Sequence, residues 1–358
     1  MALRVIMAGG GTGGHVFVGV SIAREFQARD PDCDVCFVGT ARPLESDILK
    51  REGFPLEVID VGGLKGMSGM RLVANLLLLP RSLTQSWRIL RRFRPHVVLG
   101  VGGYSSGPVL LAAALLRLPT IIVEPNAFPG LANRLLARIV RQAAVAFTEA
   151  RARLGGKGVE TGIPVRREFF KLAQRPPGRP FSILLSGGSQ GSRALNHAMC
   201  DALPHLKDYG RRLRIVHQTG AADLVWVRER YQREGMMAGV CAFIHNMPEE
   251  FDKADLIIGR AGAATVAELA AAGKAALLIP LPTAADDHQR KNAEALAVRG
   301  AARVLEQAEL TGARLADEIR AFIERPEKLV AMSAACRALG KPAAAAQIVD
   351  LALAAMKS

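Results

Sequence analysis

Short apolar runs that end in a glycine turn and reopen as a helical pattern recur along this 358-residue chain, and that alternation constrains its fold more than any other feature. Two of the turns stand almost half a chain apart, Gly9-Gly10-Gly11-Thr12-Gly13-Gly14-His15 and Gly187-Gly188-Ser189-Gln190-Gly191-Ser192. Strand, glycine turn and helix amino end together offer free N–H groups and a partial positive charge to an anion. Apolar runs at 3–8, 35–38, 56–61, 97–101, 120–123 and 143–147 alternate with segments of helical period. After a Pro/Gly-rich stretch at 175–180 the rhythm restarts, with runs at 181–186, 213–218, 240–244, 256–259, 275–279 and 302–305. Such alternation predicts mostly parallel sheets with helices on both faces. The chain also exceeds the size at which one core stops growing. The expectation is therefore an α/β protein of two doubly wound, Rossmann-like domains facing across a cleft. The first would span 1–164 and the second 165–341, with a hinge near 162–180 and an Ala-rich helix in 342–358 that packs back on one of them.

The net charge of +14 matters mainly for its placement. Residues 1–164 carry 20 Lys/Arg against 12 Asp/Glu, and no acidic residue stands between Asp60 and Glu124. That acid-free stretch holds Lys65, Arg71, Arg81, Arg88, Arg91, Arg92, Arg94 and Arg117, which points to a partner bearing phosphates or anionic lipids. Five scattered cysteines argue against a disulfide framework and suit a reducing compartment; Cys33 and Cys36 form a lone C-x-x-C with no second ligand pair. No leader is expected from the short apolar start, and no run approaches the roughly 20 residues that cross a bilayer. A soluble or peripheral protein is expected.

Gly9, Gly11 and Gly14 match G-x-G-x-x-G, but the next strand ends in Val38-Gly39-Thr40, without the acid that holds a dinucleotide ribose. A dehydrogenase is disfavoured. His15 stands at the positive end of a helix, which favours a neutral imidazole able to act as a base; bracing the turn or touching phosphate fits the place equally. A third cluster, Gly102-Gly103-Tyr104-Ser105-Ser106-Gly107, and then Glu124-Pro125-Asn126 follow later strands. Ligands collect at the carboxyl ends of strands, which groups His15, Tyr104 and Asn126 on one edge. In the second half, Arg260-Ala261-Gly262-Ala263-Ala264-Thr265-Val266-Ala267-Glu268 again follows a strand, with Glu268 placed to accept ribose hydroxyls. Asp286 and Asp287 precede His288-Gln289-Arg290-Lys291-Asn292 and read as helix-capping residues rather than metal ligands.

Taken together in order, the motifs 10–17, 102–104, 187–191, 260–268 and 288–292 resemble the MurG family of bacterial transferases. That family moves N-acetylglucosamine from UDP-N-acetylglucosamine to the lipid-linked muramoyl-pentapeptide, lipid I. The resemblance implies GT-B architecture, with the acceptor on the first domain, donor nucleotide on the second and inversion at the sugar. It makes Thr12, Gly13 and Gly14 contacts at the sugar and diphosphate end and Asn126 a ligand to the donor sugar. Arg166 and Ser189 would meet the donor diphosphate; Ile244 with Ala263, Ala264, Thr265, Val266, Ala267 and Glu268 would hold uracil and ribose. Gln289, beside His288, would reach sugar hydroxyls. Turnover would depend on His15 and Glu268, with no metal and no cofactor, since no D-x-D stands within the donor motifs at 187–191, 260–268 and 288–292. Val18, Pro125 and Ile163 depart from the family pattern and bear on loop geometry.

The resemblance also implies a peripheral place on the cytoplasmic face of the inner membrane, a role in peptidoglycan synthesis and cell division, and cell-wall synthesis proteins as partners, without nucleic acid. Leu72, Leu76, Leu79, Leu83 and Trp87 recur at helical spacing among the arginines of 69–94, and are expected to form an interfacial patch against anionic lipid. The competing readings are a related transferase using another lipid such as diacylglycerol, and a nucleotide-sugar binding protein without turnover.

Overall fold

The computed structural model describes residues 2–10, 13–62, 70–284 and 287–357. The chain divides into two compact units, Met1–Arg166 with Lys341–Ser358, and Arg167–Gly340.

Unit 1 begins β1 (Arg4–Gly9), α1 (Gly13–Arg29), β2 (Asp34–Gly39), α2 (Pro43–Arg51), β3 (Leu56–Val58) and α3 (Met70–Phe93). It continues β4 (Val97–Gly102), α4 (Ser106–Leu115), β5 (Thr120–Glu124), α5 (Leu131–Leu136), β6 (Gln142–Val145), α6 (Thr148–Ala152) and β7 (Gly158–Glu160). All seven strands pair in parallel in the order β3-β2-β1-β4-β5-β6-β7. Val5, Ile6, Met7 and Ala8 are wholly buried, as strands covered on both faces must be.

Unit 2 runs α7 (Arg167–Phe170), β8 (Phe181–Ser186), α8 (Arg193–Ala202), a 3₁₀ segment Leu203–Arg212, β9 (Leu213–Gln218), α9 (Leu224–Arg233) and β10 (Ala238–Cys241). Then come α10 (Met247–Lys253), β11 (Leu256–Gly259), α11 (Ala263–Ala272), β12 (Ala276–Leu278), α12 (His288–Ala297), β13 (Arg303–Val304), α13 (Gly312–Glu324) and α14 (Pro326–Arg337). Its six parallel strands lie in the order β10-β9-β8-β11-β12-β13. The last helix, α15 (Ala344–Lys357), returns to unit 1 and packs on α1 and across β4, β5 and β6. Arg29 pairs with Asp350 and donates to Ala346 O at 3.0 Å, and Arg141 donates to Ala355 O at 3.0 Å.

Three sequence expectations change. The edge strand β7 has no apolar run to betray it, since only Val159 lies between Gly158 and Glu160. The run at 240–244 leaves the sheet at Cys241, because Ile244 N donates to a side chain, Gln218 Oε1, rather than to a neighbouring strand. The stripe on α3 is not wholly interfacial: Leu83 and Trp87 pack against the core of unit 1, as the apolar face of a helix does. The side chains of Leu72 and Leu76 lie outside the described residues.

Candidate active site

In each sheet the strand order reverses once, between β1 and β4 in unit 1 and between β8 and β11 in unit 2. Crevices at such reversals, beyond the carboxyl ends of the strands, are where open α/β sheets bind ligands. All three glycine clusters and the Arg260–Glu268 motif follow these four strands.

In unit 1 the turns after β1 and β4 interlock. Gly10 N donates to Gly102 O at 3.2 Å. Gly103 has a φ of 83°, and a Cβ there would stand 2.2 Å from Gly10 O, so the approach tolerates only glycine. His15, in the first turn of α1, places Nδ1 3.3 Å from Gly10 O and lies close against Gly102. A carbonyl can only accept, so Nδ1 carries the proton and the lone pair of the neutral ring sits on Nε2. Thr12 lies outside the described residues; Gly13 is buried, and Gly14 is the second residue of α1. Tyr104 is half exposed at the same edge.

Asn126 is fixed by Glu124, a buried residue that sequence reasoning used only as a motif neighbour. Glu124 Oε1 accepts from Asn126 N at 2.9 Å and Asn126 Nδ2 at 3.0 Å, while Oε2 accepts from Gly130 N at 3.2 Å and Asn133 Nδ2 at 2.8 Å. Burial pushes the Glu124 carboxyl above its ordinary value, and these four donors pull the other way. Arg166 stacks on Phe17 of α1, its guanidinium 4.3 Å from the ring centre, so it stands on the helix that carries His15.

In unit 2 the turn after β8 leads into α8 with Ser189 partly exposed and Gly191 at a φ of 74° against Thr219 O. Ser192 precedes α8, and its hydroxyl accepts from Arg260 Nη2 at 2.8 Å and Nε at 3.2 Å. Arg260 also donates to Ile279 O and Pro280 O, each at 3.1 Å, and to Gln307 Oε1 at 2.6 Å. Burial lowers it to about 10, which leaves it protonated at neutral pH, and among the described residues no carboxylate pairs with it. Glu45, by contrast, is buried behind the first turn: it accepts from Thr40 N and Oγ1 at 3.2 and 2.9 Å, and a Cβ on Gly10 would meet its Oε1 at 2.1 Å. A buried carboxyl thus lies behind the first turn and a buried guanidinium behind the second.

Ala263 and Val266 are buried on α11, while Ala264, Thr265, Ala267 and Glu268 are partly exposed. Ile244 is buried. Gln289 Oε1 accepts from Leu281 N at 3.1 Å, and His288 opens α12 beside it. Asp287 stands at the cap of α12 without a capping hydrogen bond and pairs with Arg290 at 3.2 Å; Asp286 lies outside the described residues. Asn292 donates to Ala261 O at 3.1 Å and so ties α12 to the turn before α11. Burial pushes the Cys33 and Cys36 thiols up to about 11 and about 12, which disfavours the thiolate that metal or redox chemistry needs.

Residues 5–145 match the glycosyltransferase family 28 N-terminal domain, and residues 182–348 match the family's C-terminal domain. The crystal structure of Acinetobacter baumannii MurG superposes with a TM-score of 0.75 at 32% identity, covering 98% of this chain and 99% of that one. The UDP-N-acetylglucosamine–N-acetylmuramyl-(pentapeptide) pyrophosphoryl-undecaprenol N-acetylglucosamine transferase of Anaeromyxobacter dehalogenans is 48% identical over 355 residues, 98% of this chain and 92% of its own. The chain belongs to the MurG family. A transferase of the same name from Syntrophus aciditrophicus is 46% identical over the full length of both chains. The UDP-GlcNAc 2-epimerase of Neisseria meningitidis shares the fold at a TM-score of 0.70 with 15% identity, and the likeness ends at the fold. Membership of the MurG family accounts for the paired parallel sheets and for motifs at both strand-order reversals. Glu45 and Gln218 are the residues at these turns that the sequence reading passed over; a buried acid on α2 and an amide closing β9 have no local pattern to mark them.

Proposed function

We propose that this chain transfers N-acetylglucosamine from UDP-N-acetylglucosamine to the muramoyl 4-hydroxyl of lipid I, forming lipid II and UDP. The reading rests on near-full-length kinship with transferases of that name. The buried Arg260 guanidinium behind the second turn supports the division of labour. Unit 2 takes the donor: diphosphate at Ser189 and the amino end of α8, backed by Arg260, ribose at Glu268 and base at Ile244. Unit 1 takes the acceptor, beside His15 and Tyr104, and Asn126 is assigned to the donor sugar.

The reaction is one in-line displacement. The acceptor oxygen bonds to the anomeric carbon as the bond to the UDP oxygen breaks; His15 Nε2 takes the hydroxyl proton, and the diphosphate keeps the electron pair. Charge growing on the diphosphate meets N–H groups of the turn and a buried guanidinium, which act more strongly there than in water. Arg166, on Phe17, and Gln289 are assigned to the diphosphate and the sugar.

The acceptor's lipid requires a membrane surface, and no described helix is long and apolar enough to cross one. Exposed Leu111 and Leu115 at α4, and Leu131, Leu135 and Ile139 at and beyond α5, join the exposed Arg88, Arg91 and Arg94 of the neighbouring α3 segment. Apolar side chains among arginines suit an anionic leaflet, each basic residue adding about 1 kcal/mol. The cytoplasmic leaflet is the assigned face. Transfer of labelled sugar to a short-chain lipid I analogue, with diacylglycerol as the competing acceptor, tests the reaction; product only with diacylglycerol would refute it. Vesicle flotation tests the surface, which fails if neutral and anionic vesicles bind alike at every salt concentration.

A further inference from the structure

Gln218 ends β9 and is buried, with 1% of its surface exposed. Its Nε2 donates to Ser186 Oγ at 3.0 Å and to Gly188 O at 2.8 Å, and its Oε1 accepts from Ile244 N at 2.7 Å. Two of these partners are backbone groups with a single role each, so the orientation of the amide is fixed. Strand β9 lies between β8 and β10. A side chain at its carboxyl end therefore reaches both the turn that follows β8 and the segment that follows β10.

We propose that Gln218 is a positioning residue of the donor site: one amide ties the turn that takes the diphosphate to the segment that takes the base, and so sets their spacing for uridine diphosphate. The proposal rests on the assignment of Ser189 and Ile244 to the donor. Gly191 and Gly220 fit so closely against Thr219 and Gln190 that the turn has a firm seat on the end of β9. Thr219 N and Gly220 N donate to Cys241 O at 2.9 Å and Ala242 O at 3.1 Å, and beyond Ala242 the tie to Ile244 is made by the Gln218 side chain. Glutamate has the same shape and keeps an acceptor for Ile244 N, but it cannot donate to Gly188 O or Ser186 Oγ. Methionine fills the space and does neither.

Calorimetric titration of the full chain with uridine and with UDP, for wild type, Gln218→Glu and Gln218→Met, separates positioning from mere packing. Gln218→Glu should hold uridine within about twofold of wild type and weaken UDP on the order of 10- to 100-fold, the value of one or two lost hydrogen bonds. Gln218→Met should weaken both ligands, and KM for the lipid I analogue should stay unchanged in each variant. Equal loss of uridine and UDP in Gln218→Glu, an altered KM for lipid I, or no change at all would overturn the proposal. Should neither variant fold, hydrogen exchange on the wild type decides: uridine alone should slow exchange at 187–192 as well as at 243–246, and protection confined to 243–246 overturns it. Failure of the underlying donor assignment has its own signature, a wild type that binds UDP no more tightly than ADP.

Discussion

At Gly10 a carbonyl oxygen faces His15 Nδ1, and that contact decides which ring nitrogen can take a proton. His15→Ala should lower kcat by about 10²- to 10⁴-fold, the range of general-base catalysis, with UDP affinity unchanged. Near-normal turnover of His15→Ala would reduce the residue to a brace of the turn. A second histidine has the opposite character. His217 is buried between Tyr231 Oη at 3.2 Å and Asn196 Oδ1 at 3.0 Å, and burial pushes it down from 6.5 to about 4. Because its folded value lies below the unfolded one, acid protonates the unfolded chain first. Its neutral form costs nothing above about pH 6.5, and stability is lost as pH falls toward 4, by about 1.4 kcal/mol per pH unit for this group. His217→Gln should make the fall in unfolding free energy between pH 6.5 and 4 shallower in urea titrations; identical slopes would show that other groups govern it.

At the scale of elements, the loop after β5 owes its shape to Glu124, whose two oxygens accept from four donors. Gln at this position turns an NH₂ toward two of them. Unmet buried donors cost about 1–3 kcal/mol, so Glu124→Gln should lower kcat/KM for lipid I roughly 10- to 100-fold while UDP binding holds. A change under about twofold would mean that the loop keeps its shape unaided. Elements of this kind show how far the sequence could be read. Runs such as 181–186 and 256–259 are visible because a strand buried on both faces has to be apolar throughout. The glycine turns are visible because close backbone approach excludes a Cβ. Glu124, Glu45 and Gln218 act through partners 2 to 35 positions away that only the fold brings within reach, so residue type and spacing gave no hint of their role. Likewise an amphipathic stripe on α3 reads the same whether its leucines meet lipid or a protein core; Leu83 and Trp87 pack against the core of unit 1.

At the scale of the molecule, unit 1 is drawn from both ends of the described chain. Ile348 of α15 is fully buried there, and Ile348→Ala should cost about 2–5 kcal/mol by chemical denaturation. The damage belongs to unit 1, so UDP affinity, which the proposed function assigns to unit 2, should be preserved; a parallel loss of UDP binding would contradict that separation. The same layout has a consequence for biosynthesis. Residues 167–340 leave the ribosome between the body of unit 1 and the helix that covers α1, β4, β5 and β6. At about 5–20 residues per second that interval lasts about ten to thirty seconds. During it the nascent chain carries a bare apolar face on its first unit, and translation that stops short of α15 leaves that unit unfinished however much of the second has already folded.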